Sequence, residues 1–411
     1  MYTTVINKLR WSYRKNWPDI YGILARHYPE FVFKGTEAAL GDEIPVFVFH
    51  SVRPLEFEQQ LRYLHENGYR TLRAEELLAV LAQGEPAPPR SVVLTFDDGT
   101  ASLYSVAWPL LRKYGFTAIS FLIPGCIPEQ APAMPAWSDY EQGVVSEAAL
   151  LEREQGAYPL CSWQEIAEMH ESGVIDFEAH TMYHHLIHVS PQLVDFIHPN
   201  YDFYFYANIH VPVYYSKGQP DYSRNVPFGT PVYRAEPRFS AYSQYFDNED
   251  VRQACVDHVR ENGGEAFFLR KNWRKQLQRV QRRATQRFGP GEYETIAETE
   301  AALVDDLSAC KSAIEAHLPG KKVKHFCFPW FIGSRQAVRA AQAVGFQALY
   351  WGILRDRRTN RPGDDPLHIM RLEDRFIFTL PGTGRKTFTD VIKDKFVRYM
   401  PIFSKRLQSA L

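Results

Sequence analysis

With 411 residues, 45% of them hydrophobic and 23% charged, the chain can bury a large core, and length alone predicts two or three domains or one large domain with an insertion. A net charge of −1 excludes a whole-chain nucleic-acid signature, and no stretch of about 18 uncharged apolar residues marks a membrane-crossing helix. Five scattered cysteines (Cys126, Cys161, Cys255, Cys310, Cys327) without a CxxC pair exclude a disulfide framework and a thiolate zinc site.

The opening "MYTTVINKLRWSYRKNWPDIY" lacks the apolar run of a signal peptide, which predicts a cytoplasmic protein. Residues 1–17 mix Val5, Ile6, Leu9, Trp11 and Trp17 with Lys8, Arg10, Arg14 and Lys15. "PVFVFH" (45–50) then reads as a short buried strand ending in His50. "PLEFEQQLRYLHENGY" and "AEELLAVLAQG" have apolar residues at helical spacing. After the Pro-rich "GEPAPPR" comes a second strand, "SVVLTF", which runs into Asp97-Asp98-Gly99. "LYSVAWPLLRKYG" reads as helix, "FTAISFLIPG" as strand, "SWQEIAEMHESG" as helix and "IDFEAHT" as strand. This alternation predicts a parallel α/β sheet closed into a barrel.

Residues 191–300 break the pattern, being aromatic-rich and irregular at first, helical and basic later. Strand–helix alternation resumes with "AALVDDLSACKSAIEAHL", "VKHFCFP", "QAVRAAQAVG" and "FQALYWG". The chain therefore divides into an amphipathic extension (1–43), a first barrel part (44–190), an insertion (191–300), a second barrel part (301–380) and a basic amphipathic tail (381–411).

Two clusters carry chemistry. Neighbouring residues of a strand face opposite ways, so Asp97 and Asp98 can serve one site only where the strand unwinds, and Gly99 marks that point. Strand C-terminal ends are where α/β folds bind ligands. The second cluster, "EAHTMYHH", also ends a strand, and one helical turn would set His180 and His184 side by side. Two imidazoles with a carboxylate form a hydrolytic metal site, zinc by ligand type, with nickel, cobalt or manganese as alternatives. A cation would also explain why two buried carboxylates stand together.

"TFDDG" followed by "HTMYH" resembles the first two motifs of the polysaccharide deacetylases, carbohydrate esterase family 4. "FCFPWFIGSRQAVRAAQAVGFQALYWG" stands where that family has a Phe-x-Tyr-Pro-Tyr-Gly-like loop. The resemblance covers most of 44–190 and about 300–375. It implies a distorted (β/α) barrel of polysaccharide deacetylase type, the NodB-like barrel, with a large insertion. It further implies that Asp97 is the general base, that Asp98, His180 and His184 hold the metal with His185 as a rival ligand, and that a metal-bound water attacks an acetamide. Pro329 and Trp330 of the loop fall on the substrate side. Many members carry an Arg two residues before that proline; here the position is Cys327. In the family that Arg is the usual partner that tunes the base; Arg371, in "LHIMRLE" and placed among the substrate-binding residues, either substitutes for it or makes an exposed salt bridge. The family's late Leu-x-Leu-His motif, source of a general acid, is absent from the end of the chain, yet "FVFH" (47–50) has its pattern. This looks like the circularly permuted branch that deacetylates biofilm exopolysaccharides, with His50 as the acid.

The implied activity is metal-dependent N-deacetylation of an N-acetylated amino sugar in a polysaccharide or lipid-linked saccharide. Hydrolysis of a cyclic amide or imide on the same fold and non-catalytic sugar binding are the alternatives. Eight basic and no acidic residues occupy 270–287, and the stretch 385–411 has seven basic residues against two acidic. These segments read either as solvated or docking surfaces or as contacts with phosphate-bearing partners, and they predict peripheral association with the inner face of a membrane. Nucleic acid is not expected as a partner, and the oligomeric state is open.

Overall fold

A computed structural model describes residues 21–33, 39–201, 209–223 and 225–394. The amphipathic 1–17 segment, the tail beyond 394 and part of the aromatic run (202–208) lie outside the described residues. The strands in chain order are β1 (Val46–Phe49), β2 (Arg70–Thr71), β3 (Ser91–Asp98), β4 (Ala118–Leu122), β5 (Ile175–Ala179), β6 (Leu186–Phe196), β7 (Tyr214–Ser216), β8 (Gln219–Asp221), β9 (Pro231–Pro237), β10 (Tyr245–Phe246), β11 (Glu292–Tyr293), β12 (His325–Cys327), β13 (Ala348–Tyr350) and β14 (Leu372–Glu373).

One parallel sheet runs in the order β13-β12-β5-β4-β3-β1-β14, with β2 beside the start of β3. Its strands are buried at nearly every position, as expected for parallel strands covered on both faces. Alternation sorts their side chains into two cores. Phe47, Phe49, Leu94, Phe96, Phe177 and Phe326 pack against the surrounding helices, including Leu303 and Leu307 of the Ile296–His317 helix. Val46, Val93, Ile119, Phe121, Cys327 and Tyr350 fill the interior of the curl with Leu77, Val80 and Leu81 of the Ala74–Gln83 helix. Truncating a side chain such as Phe49 would cost about 3–5 kcal/mol.

Both edges of the sheet meet one stretch of chain. Ile369 donates to Leu349 O (3.0 Å) and accepts from Trp351 N (2.9 Å), while Leu372 and Glu373 pair with β1. The curl is thereby closed through residues 369–373. β1 lies between β3 and β14, so His50, one residue past β1, comes to the same rim as Asp97.

The segment between β5 and β12 includes β6 (Leu186–Phe196), a strand outside the parallel sheet that spans residue 191, and ends with the Ile296–His317 helix, which packs on the barrel core. The stretch from 191 is not irregular at its start: β6 pairs antiparallel with β9 from Leu186↔Pro237 to Phe196↔Pro231, with register shifts around Leu193. Phe196, Cys255, Val259, Phe267 and Leu277 form its own core, joining β6 to the Glu249–Glu261 and Trp273–Phe288 helices.

Candidate active site

Asp97 follows Val93 and Thr95 on the inward side of β3 and is 2% exposed. The strand unwinds at Asp98 itself: Asp98 (φ 73°) and Gly99 (φ 72°) are both left-handed. Asp is among the few L residues that tolerate this conformation, and at position 99 a Cβ would also meet Leu122 Cδ2 at 2.8 Å. The turn carries the second carboxylate to the rim that already holds the first.

His180 continues β5, its N–H donating to Leu122 O (2.9 Å). Its Nδ1 lies 2.8 Å from Cys327 O; a carbonyl only accepts, so Nδ1 carries the proton and the Nε2 lone pair faces Asp98 Oδ1 at 3.4 Å. Burial holds this imidazole below its usual pKa, with Asp97 opposing in part, so the ring is neutral, as a ligand must be.

The expected helical turn between His180 and His184 is not formed. Residues 180–185 are a non-helical loop with Thr181 (φ 70°) and His184 (φ 45°) left-handed. Two acceptors fix it: Thr181 Oγ1 takes the His184 N–H (2.9 Å) and Asp306 Oδ1 takes the Met182 N–H (2.9 Å). His184 Nε2 thereby stands 3.7 Å from Asp98 Oδ1. The His185 ring instead packs edge-on to Tyr222, 5.5 Å between centroids.

The donor set fits a divalent ion. Asp98, His180 and His184 are buried, and their ligand atoms lie within 4.8 Å of one another. Ligands at about 2.0–2.2 Å from a tetrahedral ion stand roughly 3.3–3.6 Å apart, close to the distances from Asp98 Oδ1 given above. Asp97, His180 and Cys327 form a second such group. Burial pushes the Cys327 thiol well above its usual pKa, which keeps it protonated and makes it the poorer donor.

Arg371 is neither at the surface nor within reach of a substrate: it is 1% exposed. Lying two residues after Ile369 on the closing stretch, it points inward, and its two terminal nitrogens grip Asp97 at 2.6 Å (Oδ1) and 2.9 Å (Oδ2). The expected exposed salt bridge and substrate contact are both replaced by a buried, bidentate pair with Asp97, the arrangement expected of a substitute for the missing arginine. Burial alone would raise the Asp97 pKa; the Arg371 charge, His180 and the Arg371 hydrogen bonds outweigh it and hold the carboxyl at about 2. Asp97 is ionised at any working pH.

His50 Nε2 lies 3.9 Å from Asp97 Oδ2, at the open side of the site. Pro329 is buried in a turn that sets the Trp330 ring 4.1 Å from that of His184 and packs it on Leu186 and Ile209 of the insertion. The site thus gathers Asp97, Asp98, His180, His184, His50, Arg371 and Trp330 from strand ends far apart in sequence. Thr181, inside the "HTMYH" stretch, and Asp306, which belongs to no motif, support the site. Asp306 left one readable signal: it sits on the apolar side of its helix, between Leu303 and Cys310, where an acid is out of place.

The sequence model of the family described as polysaccharide deacetylase matches residues 84–198. A Bacillus subtilis (strain 168) relative is 36% identical over 89 residues, 20% of this chain and 32% of its own. The poly-beta-1,6-N-acetyl-D-glucosamine N-deacetylase of Escherichia coli (strain K12) is 28% identical over 137 residues, 33% of this chain and 18% of that protein. The Staphylococcus aureus (strain N315) protein of the same name is 28% identical over 132 residues, 32% and 37%. The matched stretches thus span well under half of each relative. Among solved structures, the de-N-acetylase from Aggregatibacter actinomycetemcomitans aligns with a TM-score of 0.49 and 17% identity, covering 86% of this chain and 99% of that one. IcaB from Ammonifex degensii aligns with a TM-score of 0.44 and 20% identity, covering 81% and 92%.

Proposed function

We propose that the chain, whose residues 84–198 match the polysaccharide deacetylase family, is a metal-dependent hydrolase that removes acetyl groups from an N-acetylated amino sugar in a polysaccharide or lipid-linked saccharide. One observation carries the reading: a carboxylate locked in its ionised form by Arg371 stands beside a His-His-Asp donor set, with an imidazole at the open side. Sugar binding alone would have no use for a base held next to a metal site.

A divalent ion held by Asp98, His180 and His184 would polarise the acetamide carbonyl and acidify a water molecule. Asp97 accepts the proton as that water's oxygen adds to the carbonyl carbon. The C–N bond then breaks, acetate departs, and His50 gives its proton to the leaving amine. Arg371 keeps the Asp97 carboxylate plane fixed throughout. Acetate release from N-acetylated sugars, offered free, as polymer and lipid-linked, tests the proposal. Release from at least one class is expected; ring opening of cyclic amides or imides with no acetate from any sugar would overturn it.

Contact with an anionic membrane surface is part of the same proposal. On the Trp273–Phe288 helix, Leu277 and Ala284 are buried, while Lys275, Arg279, Arg282 and Arg283 are exposed on the other side with Lys271 just before them. Among the described residues none of these five makes an ion pair, so their charge is free to meet lipid phosphates.

A further inference from the structure

The Arg371 guanidinium uses all five of its N–H donors inside the protein. Nε donates to Trp351 O (3.2 Å), one terminal nitrogen to Thr95 Oγ1 (3.2 Å) and Asp97 Oδ1, the other to Asp97 Oδ2 and Cys327 Sγ (2.8 Å). Those partners surround its edge, and two aromatic rings meet the charge besides. Phe121, fully buried, lies 5.6 Å from Cζ, and Phe331 lies 5.1 Å from it. Among the described side chains that touch the guanidinium, only Phe331 is part-exposed, so it stands between the charge and solvent.

Phe331 holds that place against its own backbone. Its φ is 61°, next to Trp330 at 52°, a conformation that bulky L residues rarely adopt. In the Phe-x-Tyr-Pro-Tyr-Gly pattern this position is glycine, which would sit there without strain. The facing residue shows the reverse trade. Gly352 is not in the left-handed region, so its backbone does not call for glycine, yet a Cβ there would lie 3.0 Å from Phe331 Cγ. A side chain is present where the backbone disfavours one and missing where the backbone permits one. Both choices make room for a single ring.

We propose that Phe331 is a positioning residue: its ring seals the Arg371–Asp97 pair from water and so keeps the base in one orientation. The inference rests on the deacetylase reading for its effect on turnover, but the seal itself can be measured without turnover. An ion pair shielded from solvent is stronger and less mobile than the same pair wetted, and a base that wanders loses rate steeply.

The test uses full-length protein labelled with 15N at arginine, the Arg371 Nε–H signal being assigned by its loss in Arg371→Lys. Wild type should show that proton exchanging slowly with solvent. Phe331→Gly, which removes the backbone strain, should fold at least as stably, yet exchange at least about tenfold faster, with kcat down by about ten- to a hundredfold and KM little changed. Phe331→Tyr should restore both values, and Gly352→Ala, which displaces the ring, should move both in the direction of Phe331→Gly. Exchange unaltered in Phe331→Gly overturns the seal whatever the activity. Faster exchange with unchanged kcat overturns the positioning role. Absence of acetate release by wild type, with the exchange result as expected, would strike the deacetylase reading and leave the seal standing.

Discussion

His50 Nε2 and Asp97 Oδ2 are 3.9 Å apart, yet the His50 side chain is 45% exposed and that of Asp97 only 2%. One group is at the mouth and the other on the floor, and in the proposed mechanism this divides the proton traffic: the floor would take a proton from water and the mouth would return one to the departing amine. His50→Gln should keep fold and metal while turnover falls by about 10²–10⁴. Acetate release at near wild-type rate, measured with metal content unchanged, would remove His50 from the mechanism.

Metal content separates the neighbouring histidines. His184→Ala and Asp98→Asn should each lose the one bound divalent ion per chain, whereas His185→Ala should retain it. Elemental analysis after gel filtration reads this directly. The reverse pattern for His184 and His185 would reassign the third ligand.

Removing Arg371 leaves a buried charge without its partner. Arg371→Met is expected to lower unfolding free energy by about 3–5 kcal/mol, measured in urea at neutral pH. The sign with pH follows from Asp97, whose folded pKa of about 2 lies below the ordinary carboxylate value of 3.8. In wild type the pair's contribution is present above the unfolded value and is lost only as pH falls through about 2. In Arg371→Met, where burial acts without the guanidinium, stability should instead fall as pH rises from acid toward neutral.

Asp306 gives the opposite sign in the native protein. Burial, offset in part by the Met182 N–H and the Arg238 charge, raises its pKa from 3.8 to about 7. The folded form therefore binds the proton more tightly, and stability is given up as pH climbs from about 4 to 7. Asp306→Asn keeps an acceptor for Met182 without the charge, so it should stabilise the protein by on the order of 1–3 kcal/mol at pH 8 and by less at pH 5. Asp306→Ala, which frees the loop between the histidines, should weaken metal binding by about 10- to 100-fold, measured by competition with a chelator.

Flotation with neutral and anionic vesicles addresses the basic helix. Wild type should float with the anionic ones and be released by salt. Reversal of Lys275, Arg279, Arg282 and Arg283 to Glu should abolish this, since each cation contributes about 1 kcal/mol near such a surface. Binding of wild type to RNA in place of lipid would point to a different partner.

What the sequence disclosed and withheld follows the range of the forces involved. Asp97, Asp98, His180 and His184 were legible because each cluster is local: an apolar strand that stops in groups it cannot bury alone. Their loop geometry was not, since the left-handed turns at Thr181 and His184 depend on Asp306, more than a hundred positions away. β6 is not legible in sequence because Pro191 and the register shifts after His188 blur its alternation. Arg371 could be named as a substitute for the missing arginine, but its burial depended on which face of the closing stretch turned inward. Phe331 lies within the "FCFPWFIG" stretch, but its φ and its distance to Arg371, on which its proposed role rests, depend on the fold.

The closure of the sheet through residues 369–373 also sets a timetable. β1 can pair with β3 early, but its other edge stays bare until β14 has been synthesised, which at 5–20 residues per second takes about 15–65 s. Through that interval a strand carrying Phe47 and Phe49 offers an open ladder of backbone groups, and Asp97 has no Arg371 to pair with. In the folded protein Asp97 is buried against Arg371; in the nascent chain that pairing waits until residue 371 has emerged, an interval in which slow translation or scarce chaperones would lower the yield.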